Sequence, residues 1–130
     1  MTLTHINPDS MHRNPAFSQG VLVQDPGAIL VVGGQNGVDA EGQVVGDDLA
    51  SQTAQALRNV LEVLKAAGAS QEHVVEMTIY VAAPADIREG FAASQEVWGN
   101  QPTAISVIQV AALGRPDFLV EIRALAVIPK

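Results

Sequence analysis

The sequence has no cysteine and few basic residues, and each absence excludes a class of function. Without cysteine the chain can hold no disulfide, no thiol nucleophile and no cysteine-based metal site. Seven Lys and Arg residues against fourteen Asp and Glu residues give a net charge of −7. The basic residues are scattered from Arg13 to Lys130 without a cluster, so a nucleic-acid partner is not expected.

Aromatic residues and long apolar runs are also scarce. Aromatics make up 4% of the 130 residues and apolar residues 48%, so the core must consist of Val, Ile, Leu and Ala. No apolar run approaches the ~20 residues that cross a bilayer. The first residues, MTLTHINPDSMHR, lack the basic segment and apolar core of a signal peptide. We therefore expect a single domain over residues 1–130 that is soluble and cytoplasmic, with no membrane partner.

Strand and turn patterns fill the first third of the chain. Residues 1–16 predict a short edge strand and a loop. The segments 17–23 (FSQGVLV) and 28–32 predict a hairpin, because the residues between them, QDPG, have strong turn chemistry. The glycines at 33, 34 and 37 are compatible with a phosphate loop, but no Gly-Lys-Ser/Thr follows them. A bulge or a close backbone approach is the favoured interpretation.

Two amphipathic segments predict helices. The first runs from the aspartates at 47 and 48, either of which can cap it, to the glycine at 68. Its i, i+3, i+4 pattern predicts an inward face of Leu49, Thr53, Ala56, Leu57, Val60, Leu61, Leu64 and Ala67. The same pattern predicts an outward face of Gln52, Gln55, Arg58, Glu62 and Lys65. The second helix runs from residues 84–86 to 99, with Phe91 and Trp98 predicted as core residues.

The remaining segments predict strands. Residues 74–81 alternate between two faces, and residues 102–127 give two apolar strands joined by a Gly-Arg-Pro-Asp turn. The order β-β-β-α-β-α-β-β predicts an α+β fold in which both helices cover one face of a mixed sheet. The other face is apolar and uncovered, so we predict a homo-oligomer.

Glu121 is the residue that most needs an explanation, because it lies inside the apolar strand FLVEIRALAV. In a partly dry cleft this carboxylate could orient or deprotonate a water molecule. A structural role, bonded to backbone amides or to a neighbouring subunit, is an equally good interpretation.

Other polar residues are weaker candidates. Arg115 could bind an anion, but a solvated turn arginine paired with Asp117 is the favoured interpretation. The histidines at 5, 12 and 73 have no metal-ligand spacing, and we expect neither a metal nor a cofactor. Ser18 and Ser106 have no histidine nearby in the sequence, which leaves a hydrolase triad unsupported. Neutral hydrogen bonds to a ligand could come from Gln35, Asn36 and Gln95.

Several motifs in one order make the chain resemble the RidA/YjgF family, also known as reactive-intermediate deaminases or endoribonuclease L-PSP. The motifs are FSQGV (17–21), VVGGQNGVDAEGQVV (31–45), DDLASQTAQALRNVLEVLKAAGAS (47–70), HVVEMTIYV (73–81), FAASQEVW (91–98), VIQVAAL (107–113) and FLVEIRALAV (118–127). The resemblance implies a chorismate-mutase-like domain that forms a homotrimer with a small-molecule cleft between subunits. It also implies hydrolysis of imines and enamines, such as 2-aminoacrylate, to 2-keto acids and ammonia.

The resemblance assigns cleft positions to this chain, and most of them hold a different residue. The glutamate of the last strand is kept as Glu121, whereas the arginine that binds the substrate carboxylate is replaced by Ile105. The remaining substrate-binding positions fall on Phe17, Gly33 and Gln95. Loss of a charged hydrogen-bond partner weakens binding by ~30-fold or more, so we expect poor deamination of 2-aminoacrylate. Arg115 is the candidate substitute.

Three functions follow in order of preference. The first is a small-molecule-binding protein that hydrolyses an imine, an enamine or a related compound. The alternative is a non-catalytic metabolite sensor that uses the same cleft. A ribonuclease is the least favoured, because the chain is acidic and has no basic patch.

Overall fold

The computed structural model describes residues 1–130 and contains six strands and two helices. In chain order the elements are β1 (Thr2–Ile6), β2 (Gly20–Gln24), β3 (Ala28–Gln35), α1 (Leu49–Ala66), β4 (Val74–Ala82), α2 (Phe91–Trp98), β5 (Ala104–Val110) and β6 (Val120–Ile128). Short 3₁₀ turns at Gln71–His73 and Ile87–Gly90 precede β4 and α2. No helix is long and apolar enough to cross a membrane.

The strands form a four-stranded mixed sheet and a separate two-stranded one. The larger sheet has the order β3-β6-β4-β5, with β4 and β5 parallel and the other pairs antiparallel. The smaller sheet is the antiparallel pair β1-β2. The predicted α+β class with two helices and a mixed sheet is confirmed.

Two predicted strand pairings are wrong. β2 pairs with β1 and β3 pairs with β6, so the QDPG turn joins two sheets instead of closing a hairpin. The turn is held against β6 instead: the Gly27 amide donates to the carbonyl of Ile128 at 3.0 Å, and Lys130 Nζ lies 2.7 Å from Asp25 Oδ1. Likewise, β5 and β6 are not neighbours, because β4 lies between them. A turn motif specifies a reversal of the chain, but not which strands pair after it.

The core lies between one face of the larger sheet and α1. Along β6, Val120, Ile122, Ala124 and Ala126 point to this side and are buried. They pack with Val32, Met77 and Val81 of the other strands and with Leu49, Ala56, Leu57, Val60 and Leu64 of α1. Each fully buried Val, Leu or Ile contributes roughly 1.5–3 kcal/mol. We call this side of the sheet the helix face, and the opposite side the open face.

Local signals define the ends of α1 as predicted. Asp48 is the N-cap, and its Oδ2 accepts a hydrogen bond from the Ser51 amide at 2.9 Å. This bond, with a second from the Ser51 side chain, holds the pKa of Asp48 below its usual value. The resulting stabilisation is present above the usual pKa of an aspartate and is lost as the pH falls through the lowered value. After the helix, Gly68 adopts a φ of +75°, which a side chain would disfavour.

Three residues of the helices do not lie where the pattern predicts. Ala67, predicted on the inward face, is the exposed C-cap residue of α1. Gln52 was expected to face outward but is only 1% exposed. Its amide nitrogen donates to the carbonyls of Gly46 and Asp117 at 3.1 and 3.0 Å, and its oxygen accepts from the Leu119 amide at 2.9 Å. Phe91, expected in the core, is 59% exposed, whereas Trp98 is buried as predicted. Gln52 is buried because the loop between β5 and β6 folds over the start of α1.

Replacement of Gln52 by leucine is expected to lower the free energy of unfolding by about 3 kcal/mol, because three backbone groups lose their partners at a buried position. Urea denaturation followed by circular dichroism measures the change. Gln55→Leu is the matched control, since Gln55 is partly exposed and bonds only to Asn59. We expect this control to cost less than about 1 kcal/mol. Equal losses in both variants would contradict the anchoring role of Gln52.

Candidate functional site

Glu121 lies on the open face of β6, between two buried neighbours on the helix face. Val120 and Ile122 are 0% exposed, and strand alternation therefore directs the carboxylate to the opposite side. Glu121 itself is partly buried. Its one hydrogen bond is a long one of 3.4 Å, from Asn36 Nδ2 to Oε1. The same amide group donates to the carbonyl of Val120 at 3.0 Å, which fixes Asn36 beside the carboxylate.

Glycines at the end of β3 and just after it allow this close packing. The pairing of β3 with β6 shifts between Val32 and Gln35, which is a bulge. A Cβ atom on Gly34 would lie 2.6 Å from Oε2 of Glu121, and one on Gly37 would lie 2.5 Å from Cα of Gln52. Contacts this short do not occur between real atoms. At Gly37 the obstacle is backbone, so this position requires glycine, whereas at Gly34 a side chain would displace the Glu121 carboxylate. The predicted bulge and close backbone approach are confirmed.

A cavity of about 400 Å³ adjoins Glu121, and we call it the Glu121 cavity. Its polar groups are the Glu121 carboxylate, the Tyr80 phenol, the Arg123 guanidinium and the backbone of two glycines. The full set of lining residues is Val31, Val32, Gly33, Gly34, Tyr80, Val110, Ala112, Leu113, Glu121 and Arg123. An acid, a phenol and a cation thus converge on one small cavity.

Two residues of the Glu121 cavity, Tyr80 and Arg123, are not among the candidates predicted from the sequence. Tyr80 is the direct cross-strand partner of Glu121 in the β4–β6 pair, a relation that only the strand order shows. Arg123 follows Glu121 by two residues on the same strand, so the alternation of FLVEIRALAV already placed both on one face. The signal for Arg123 was therefore present in the sequence.

The predicted site residues fall on two sides of the sheet. Gly33 lines the Glu121 cavity. Ile105 pairs with Met77, a buried residue of the helix face, and packs against the core there. Glu121 is on the open face, so a single chain does not bring Ile105 and Glu121 together.

Phe17 and Gln95 also lie outside the Glu121 cavity. Phe17 is in the loop before β2, with its ring edge-on to His12 at 6.4 Å between centroids. The next residue ties this loop to the start of β5, because the Ser18 amide donates to the carbonyl of Thr103 at 2.9 Å. Gln95 is a partly buried residue of α2. Phe17 thus lies near β5, where Ile105 is located.

Arg115 is already engaged by its own loop. Its guanidinium is 2.7 Å from Asp117 Oδ2 and stacks on the Phe118 ring at 4.8 Å from the centroid. The predicted pairing with Asp117 is confirmed. Arg115 does not line the Glu121 cavity.

Ser18 does have a histidine partner, contrary to the expectation from sequence distance. His5 Nδ1 lies 2.8 Å from Ser18 Oγ, because β1 runs beside the loop that carries Ser18. Ser18 is only 3% exposed, and His5 forms no ion pair with a carboxylate. The pair therefore fixes the loop and does not form a hydrolase triad.

A second, apolar cavity of about 220 Å³ lies on the helix face between α1, α2 and the sheet. Phe91 lines this cavity together with Ile87 and Val107, which are also partly exposed, and this is why its ring is not in the core. The remaining lining residues are Leu49, Thr53, Ile79, Val81, Arg88, Gly90 and Ser94.

Comparison with known proteins gives consistent results. The sequence profile of the family Endoribonuclease L-PSP matches residues 9–128. The rat protein 2-iminobutanoate/2-iminopropanoate deaminase is 40% identical over 118 residues, which cover 86% of this chain and 80% of the rat protein. A RutC family protein of Saccharolobus solfataricus is 35% identical over 111 residues, covering 85% of each chain. A crystal structure of a Rid family protein of unknown function from Yersinia pestis superposes with a TM-score of 0.87 at 36% identity, covering 98% of this chain and 100% of that one.

Proposed function

Because this chain belongs to the endoribonuclease L-PSP family, whose members are also named RidA and YjgF, we propose that it hydrolyses a small imine or enamine. The reaction takes place in a cleft between the subunits of a homotrimer with a chorismate-mutase-like fold. The proposal rests mainly on the Glu121 carboxylate, which lines a small cavity and accepts only one, long hydrogen bond. The names of the deaminase relatives support the reaction class.

Glu121 acts as the general base. It takes a proton from a water molecule whose oxygen attacks the carbon of the C=N bond, which gives a carbinolamine. Glu121 first returns this proton to the nitrogen, which completes the carbinolamine. It then takes the hydroxyl proton of the carbinolamine and passes it to the same nitrogen, so that the C–N bond breaks and a carbonyl compound and neutral ammonia leave. An enamine enters the same route after protonation at carbon converts it to the imine. The close approach of Gly34 and the amide of Asn36 hold the carboxylate in position throughout.

The trimer supplies the rest of the cleft. In the isolated chain Ile29 and Val31 are 65% and 62% exposed, on the edge strand β3 of the larger sheet. Apolar groups this exposed favour association with further copies. Ile105 and Glu121 lie on opposite faces of one sheet, so the two meet only if one subunit contributes Ile105 and its neighbour contributes Glu121.

Ile105 removes the carboxylate-binding arginine that the family resemblance implies at this position. Isoleucine donates no hydrogen bond, so position 105 cannot bind a substrate carboxylate in this way. This substitution also favours a second candidate function, a sensor that binds a metabolite without turnover. Binding of a keto acid together with a background rate of imine hydrolysis would identify the sensor.

The purified protein is expected to accelerate the hydrolysis of a 2-imino acid generated in solution from an amino acid by an amino acid oxidase. The measurement is the rate of 2-keto acid and ammonia release, compared with the spontaneous rate in the same buffer. Boiled protein is the control. A rate equal to the spontaneous one for imino acids of every side-chain size would contradict the proposed function.

A further inference from the structure

We propose that Arg123 binds the carboxylate of the substrate in the Glu121 cavity. The proposal rests on the function proposed above and names the group that replaces the arginine absent from position 105. Two other arginines are candidates: Arg115 from the sequence, and Arg88 because it lines the apolar cavity on the helix face. Their contacts distinguish them from Arg123.

Arg123 shares its cavity with the catalytic carboxylate. Both residues lie on the open face of β6, two positions apart, which separates their Cα atoms by roughly 7 Å. Across the sheet, Arg123 faces Thr78 and Glu121 faces Tyr80, so no charged side chain lies directly opposite the guanidinium. Glu121 is also the one carboxylate that lines the cavity.

The guanidinium of Arg123 is unengaged, and this distinguishes it from the other candidates. It forms no side-chain hydrogen bond and takes part in none of the ion pairs of the chain. Arg115 is bound to Asp117 and stacked on Phe118, whereas Arg88 donates from Nε to Oδ1 and from Nη2 to Oδ2 of Asp86. An unpaired guanidinium beside apolar walls favours a planar carboxylate that accepts two hydrogen bonds.

The arrangement of charge fits a 2-imino acid. Such a molecule carries a carboxylate directly beside the C=N carbon that water attacks. With its carboxylate on Arg123, that carbon is directed toward the neighbouring Glu121, whose negative charge repels the carboxylate from the opposite orientation. Val31, Val110 and Leu113 then remain for a short apolar side chain. Arg123 thus determines the orientation of the bound substrate.

Titration calorimetry with pyruvate, a 2-keto acid of the product class, tests the proposal on the full chain. We expect Arg123→Gln to weaken pyruvate binding by about 30-fold or more, and Arg123→Lys to give an intermediate loss. Arg115→Gln is the matched control and should leave the affinity unchanged. Pyruvamide, which lacks the negative charge, should bind wild-type protein more weakly than pyruvate and should bind Arg123→Gln as well as it binds wild type. Arg123 is exposed, so the variant should keep the melting temperature of the wild type.

Equal affinity of wild type and Arg123→Gln for pyruvate would overturn the proposal, and so would wild-type protein that does not bind pyruvate. Turnover distinguishes this failure from failure of the proposed function. If imine hydrolysis proceeds and Arg123→Gln leaves KM unchanged, Arg123 is excluded as the residue that binds the carboxylate, whereas the proposed hydrolase function still holds. A raised KM with a smaller change in kcat supports Arg123 as a binding residue.

Discussion

Replacing Glu121 by glutamine should lower kcat for imine hydrolysis by about 10²- to 10⁴-fold, the range expected when a general base is removed. Glutamine has the same shape and can still accept from Asn36, but it cannot take a proton from water. The Michaelis constant should change little, because the proposed carboxylate partner is Arg123. Stopped-flow or coupled assays of 2-keto acid release give both constants.

Two further variants show whether the carboxylate itself is responsible. Glu62→Gln removes the same charge from the exposed side of α1 and should retain full activity. Gly34→Ala keeps the carboxylate but places a methyl group 2.6 Å from the original position of Oε2, so the displaced group should lose much of its activity. Full activity in Glu121→Gln would exclude Glu121 as the base.

Introducing a charge at Val31 should convert the trimer to monomers. Val31 is 62% exposed in the isolated chain and lies next to the cavity wall on β3, so Val31→Glu would bury a carboxylate in the proposed interface. Burial of an unpaired charge costs several kcal/mol per subunit, which is enough to dissociate an assembly of this size. Light scattering after size exclusion should give three times the 13.6 kDa chain mass for the wild type and the chain mass for the variant.

The matched control is Ala40→Glu, which adds the same charge at an exposed turn and should remain trimeric. Activity should fall for two reasons, because the cleft needs residues from two subunits and because Val31 itself lines the Glu121 cavity. A wild-type protein that is monomeric at assay concentration would contradict the intersubunit cleft. A monomeric but fully active Val31→Glu variant would contradict it as well.

The helices were predictable from the sequence because their signals are local. The cap at Asp48 and the stop at Gly68 follow from short-range chemistry, and the structure contains both. The strand pairings were not predictable in the same way. The QDPG turn joins two different sheets, and β6 lies between β3 and β4, so that β4 separates it from β5, its neighbour in sequence. Pairing depends on which apolar faces meet, which is decided at long range.

The residues of the candidate site also divide into those with a local signal in the sequence and those that depend on strand pairing. Glu121 was found because a charge inside an apolar strand is conspicuous, and Arg123 could have been found by strand alternation alone. Tyr80 could not, since its position opposite Glu121 depends on the pairing of β4 with β6. The burial of Gln52 could not be predicted from the sequence for a similar reason, because one of its partners, Asp117, is 65 residues away in the chain.

The central position of β6 has a consequence for how the protein is made. Within the larger sheet, β3 pairs with β6 alone, although β3 is the first of the four strands to leave the ribosome and β6 is the last. A nascent chain that has not reached residue 120 therefore carries β3 with no partner, and β4 with one unpaired edge. Unpaired apolar edges are the surfaces by which partly made chains aggregate and which chaperones cover. Synthesis of residues 120–128 closes both edges in one step, so productive folding of this sheet has to wait for them.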